Sequence, residues 1–74
     1  MSMKYKVVIK HIKRFNKAVD LTNELRALGF RKVTIFEHRG KFGVVVDYFK
    51  TKKDAETFVK ETKLKHELII ELNN

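Results

Sequence analysis

Seventy-four residues with 43% hydrophobic content make one small domain, residues 1–74, with too much apolar material for a disordered chain. The absence of cysteine excludes disulfides and thiolate metal sites, and three glycines with no proline leave no room for a linker. A net charge of +8 favours anionic partners, while the start, Met1 to Tyr5, holds no apolar run of signal-peptide or membrane-spanning length, so a cytoplasmic protein without membrane association is expected.

Lys4 to Lys10 alternates, with Tyr5, Val7 and Ile9 on one side and Lys6, Val8 and Lys10 on the other, which predicts a half-buried strand. A basic loop through His11, Lys13 and Arg14 follows, with Asn16 as the expected N-cap of a helix. Ala18, Leu21, Leu25 and Leu28 recur at helical spacing, and Gly29 stands where a left-handed residue would end that helix. Val33 and Ile35 mark a second strand, Arg39-Gly40 a turn, and Phe42 to Phe49 a third strand. Thr51 with Asp54 three residues on resembles a capping box, opening a helix whose inner face carries Ala55, Phe58, Val59 and Thr62. Leu68, Ile70 and Leu72 predict a fourth strand.

The chain repeats itself at a shift of 37 positions: Val7, Ile9, Ile12, Ala18 and Leu21 fall on Val44, Val46, Phe49, Ala55 and Phe58. Two strand–helix units with right-handed crossovers interleave into an α+β, ferredoxin-like βαββαβ domain with a four-stranded antiparallel sheet of order 4-1-3-2. Both helices then cover Val7, Ile9, Val33, Ile35, Val44, Val46, Leu68 and Ile70.

Parity assigns the uncovered sheet face to Lys6, Val8 and Lys10, to Thr34, Phe36 and His38, to Gly43, Val45 and Asp47, and to Glu67, Ile69 and Glu71. Val8, Phe36, Val45 and Ile69 are expected to form an apolar band with a polar rim, the pattern of an interaction surface or of a homodimer contact. The loops after strands 1 and 3 are equivalent in the repeat and are expected at one end of the sheet. They would gather Lys10, Lys13, Arg14, Lys17, Lys50, Lys52 and Lys53 around both helix N-termini, as a site for a phosphate or an acidic protein.

Catalytic chemistry has little to work with. The one serine is Ser2, and no cysteine is present to serve as a nucleophile. His11, His38 and His66 fall on different elements without metal-ligand spacing, and Gly40-Lys41-Phe42-Gly43 lacks the ending of a phosphate loop. No enzyme, cofactor or metal is expected.

The register Val7-x-Ile9, Ile12, Ala18, Leu21, Leu25 and Gly29-Phe30, followed by Val44, Val46, Phe49 and Ala55, resembles sporulation-related repeat domains along nearly the whole chain. That resemblance implies the βαββαβ fold and peptidoglycan glycan strands as a ligand of the open face. Lys10-His11 and Asp47-Tyr48 stand where that family carries glycine motifs. Arg39-Gly40-Lys41-Phe42-Gly43-Val44 looks like the strand-3 signature of RNA-recognition motifs with one added lysine, which implies the same topology. Nucleic-acid contact would then be mainly electrostatic, because Val8 and Val45 hold the central positions where those domains stack bases.

The expectation is therefore a small non-catalytic binding protein, a regulator or inhibitor of the kind a phage-type effector would be. It would dock Val8, Phe36, Val45 and Ile69 on a protein partner or on itself, with Lys10, Arg14, Lys50 and Lys52 steering. Electrostatic nucleic-acid binding and glycan-strand binding are the alternatives.

Overall fold

The computed structural model describes residues 2–73, in the order β1 (Tyr5–Ile12), α1 (Phe15–Ala27), β2 (Thr34–His38), β3 (Lys41–Phe49), α2 (Lys52–Glu61) and β4 (Ile69–Leu72). The strands form one antiparallel sheet of order β2-β3-β1-β4, the ferredoxin-like topology expected. Both helices pack on one face, over a core of Val7, Ile9, Ala18, Leu21, Leu25, Val33, Val44, Val46 and Ala55. Phe58 adds aromatic mass under α2, with its ring centroid 5.9 Å from Phe30 and 5.2 Å from Phe49.

Local chemistry accounts for the ends of the helices. The Arg14 carbonyl accepts from the amides of Lys17 and Ala18, so α1 opens two residues earlier than an Asn16 cap would allow, and Arg14 is the N-cap. Its side chain has no acceptor to offer the free amides, and no acidic residue lies in the first turn. At the other end Gly29, with φ +104°, completes a Schellman turn: Phe30 N–H donates to the Leu25 carbonyl at 3.1 Å and Gly29 N–H to that of Arg26 at 3.0 Å. In α2 the Thr51 hydroxyl accepts from the Asp54 amide at 3.1 Å, the N-cap half of the box expected there.

Two bulges disturb the central ladder between β1 and β3. Val46 has no partner between the Val7–Asp47 and Val8–Val45 pairs, and Lys10 with His11 together span the single residue Gly43. His11 takes φ 66°, the left-handed region, and through it β1 continues to Ile12 instead of ending at Lys10. The β2–β3 hairpin closes through Arg39 (φ 53°) and Gly40 (φ 79°), two successive positive values that define a type I′ turn.

Candidate functional site

Val8 and Val45 point away from the helices, as parity requires, and neither joins the core beneath them. They are nevertheless buried, at 0% and 5% exposure. The face without helices supplies its own cover. Lys10 reaches along the sheet to an ion pair with Glu71. Lys6 reaches the opposite way, its Nζ 5.7 Å from the centroid of the Phe36 ring. Both lysines share this face with the Val8–Val45 pair, one reaching toward β4 and the other toward β2, and long apolar stems of this kind can shield such a pair from water. The Phe36 ring lies over Gly43, where a Cβ would come within 2.7 Å of its Cε2 atom.

The expected docking band is therefore corrected at its centre. Val8 and Val45 have no surface to offer a partner, whereas Phe36 and Ile69 are half-buried and keep some. The Val46 bulge also shifts the phase of β3. Tyr48, opposite Lys6, takes the open-face position expected of Asp47, which turns back and accepts from the Tyr48 amide at 2.8 Å. Glu67 falls outside β4, which starts at Ile69.

The basic cluster needs a larger correction. In the observed register Ile12 lies opposite Phe42 and Tyr5 opposite Phe49, so β1 ends where β3 begins. Lys10, Lys13, Arg14 and Lys17 therefore stand at one end of the sheet and Lys50, Lys52 and Lys53 at the other, separated by the length of an eight-residue strand, roughly 25 Å. The helix N-termini are divided in the same way. The repeat relates its halves by a twofold turn, which sends equivalent loops to opposite ends.

A different group of cations joins the first set. Because β2 runs parallel to β1, the hairpin tip lies at the same end as the β1–α1 loop. Lys10, His11, Phe36, His38, Arg39, Lys41 and Phe42 line a cleft of about 340 Å³ there, with no carboxylate among them. Lys10 is committed to Glu71, but Arg39 and Lys41 make no ion pair among the described residues. A second concavity, between α1 and the segment before β4, contrasts with it: the carboxylates of Asp20, Glu24 and Glu67 stand there with Lys10 and Lys17.

The cleft also holds both described non-glycine residues with positive φ, His11 and Arg39. Left-handed backbone favours glycine or asparagine, and a cationic side chain there costs roughly 1–2 kcal/mol. Its aromatic wall continues outward, for Phe42 meets Phe15 edge to face with centroids 5.5 Å apart. Phe15, the first residue of α1, is 56% exposed. The hairpin was legible as a turn; its cations were missed because strand direction, not repeat equivalence, decides which loops are neighbours.

Among the described residues, no three His, Asp or Glu side chains gather as a metal site would require, and no helix is long and apolar enough to cross a membrane. Comparison with protein-family models, with curated proteins and with solved structures finds no match.

Proposed function

We propose that the chain is a small non-catalytic binding protein that docks its hairpin end on an acidic partner macromolecule. The observation that supports this reading is the cleft in which Arg39 and Lys41, free of ion pairs among the described residues, stand with His11 and His38 and no carboxylate. Lys13, Arg14 and Lys17 flank it, so the field of one end is strongly positive and would raise the rate of encounter with an anionic surface. Docking through the sheet face would first have to displace the Lys6 and Lys10 stems, and it would leave the cations of the cleft unused.

The test is a pull-down from the source cells with partners identified by mass spectrometry at low and high salt. Wild type is compared with Arg39→Glu/Lys41→Glu and with Lys50→Glu/Lys52→Glu. Acidic partners that release with salt and are lost only with the first variant support the reading. Equal loss with both variants, or no loss with either, overturns it, because the two make the same change in net charge at opposite ends.

A further inference from the structure

We infer that the free edge of β2 takes an extended acidic segment of a partner protein. The segment adds to the sheet as a further strand, its apolar middle beside Ile35 and Phe36 and its carboxylates at the two basic ends of the edge. This inference rests on the preceding reading and names the chemistry of the partner and the way it is held.

β2 is bonded to β3 on one side, and no strand lies beyond it. His38 and Lys41 flank the two-residue turn, and the pair next to such a turn exchanges both of its hydrogen bonds. Bonded pairs then recur at Phe36–Gly43 and Thr34–Val45, which leaves the amides and carbonyls of Ile35 and Glu37 facing outward. No turn, loop or cap among the described residues bonds to them. Folded proteins commonly guard such an edge with proline, lysine or a bulge. The five residues of β2 hold neither proline nor lysine, and their register with β3 is unbroken. The opposite edge, β4, has no cation for an acidic strand, and its one charged residue, Glu71, is paired with Lys10.

The side chains around β2 select the occupant. Arg31 and Lys32 are exposed just before the strand, and His38 and Arg39 are exposed at its far end. Arg31, Lys32 and Arg39 make no ion pair among the described residues. Between these ends Ile35 and Phe36 are half-buried, Ile35 against the core and Phe36 over Gly43 on the open face. A neighbouring strand would extend the cover of both. Glu37 is the one carboxylate of this stretch and disfavours an acidic side chain opposite it. A fitting segment is therefore β-branched in the middle and acidic at either end. His38 and Arg39 also line the hairpin cleft, so one such segment meets edge and cleft together. A second copy of this chain fits poorly: antiparallel pairing of two β2 strands sets His38 and Arg39 of each beside Arg31 and Lys32 of the other, cation against cation.

The probe is a labelled synthetic peptide with two acidic residues at each end and Val-Thr-Val between, with two versions N-methylated at alternate amides, one in each phase. One set of alternate amides in an added strand faces β2, so anisotropy should show about tenfold or more weakening for one version and little change for the other. Glu37→Pro removes an outward amide, spares the bonds to β3 and makes the protein more positive. Strand addition predicts about fivefold weaker binding, whereas attraction by charge alone predicts tighter binding. Glu37→Ala makes the same charge change with the amide kept and should bind at least as tightly as wild type. Circular dichroism checks the fold of both variants. Amide exchange followed by NMR should show Ile35 and Glu37 gaining protection when the unmodified peptide is added, and this with the methylated pair decides the matter should Glu37→Pro not fold. Equal binding of the two methylated peptides, no added protection, or a folded Glu37→Pro that binds as tightly as Glu37→Ala overturns the inference. The acidic-partner reading stands in these cases if Arg39→Glu/Lys41→Glu still weakens binding of the unmodified peptide. A dimer in sedimentation that excludes the peptide overturns the inference in favour of a second copy. No peptide binding at low salt also overturns it, and an empty pull-down then sinks both.

Discussion

Gly43 and Phe36 show how single positions build the open face. The ring occupies the volume a Cβ would need, so Gly43→Ala should destabilise the fold by about 1–3 kcal/mol through overpacking. The cost should shrink in a Phe36→Ala background, where the space is free; denaturant midpoints of the four proteins measure the coupling. Val45→Asp places a carboxylate in a site 5% exposed and should abolish folding, whereas Phe36→Asp, at a half-buried position, should leave a folded protein. Thermal melts distinguish the two. Parity in the sequence was enough to put Val8 and Val45 on the side away from the helices. Their burial was not legible, because it depends on how far Lys6 and Lys10 reach across neighbouring strands, and spacing carries no information about that.

The elements were legible where local chemistry alone decides them. Thr51 and Gly29 mark helix ends that the structure places within a residue of the expected positions, since an N-cap hydroxyl and a left-handed glycine act on their own segment. Thr51→Ala should cost about 1 kcal/mol, read as a lowered midpoint in urea, because the Asp54 amide loses its acceptor. The strands were less legible. Alternation counts residues in twos, and a bulge breaks the count: after Val46 the face assigned to Asp47 belongs to Tyr48, and through His11 the strand gains Ile12. Nothing in a run such as Val44-Val45-Val46-Asp47 announces which residue will lack a partner. Arg39 is the converse case. Arg39→Gly would suit φ 53° better and should raise stability by up to about 1 kcal/mol, while removing a cation from the cleft.

At the scale of the molecule, the placement of charge matters more than its sum. The net +8 suggested a pull toward anions, and the site drawn from it joined two loops that the antiparallel register holds apart. With an acidic partner, affinity should fall as salt rises, and Arg39→Glu/Lys41→Glu should flatten the slope of log affinity against log salt because two cations no longer contribute. Lys50→Glu/Lys52→Glu should leave the slope nearly unchanged. Anisotropy titrations across a salt series supply both numbers.

The strand order has a further consequence. Neither half of the repeat owns a neighbouring pair: β3 separates β1 from β2, and β1 separates β3 from β4. A peptide ending at the hairpin tip and one beginning there would each lack any ladder of its own, and each should be unstructured when alone. Mixed in equal amounts, they carry every partner the other needs. Recovery of the strand and helix signal in circular dichroism only on mixing would show that the domain assembles as two complementary pieces joined by a two-residue tether.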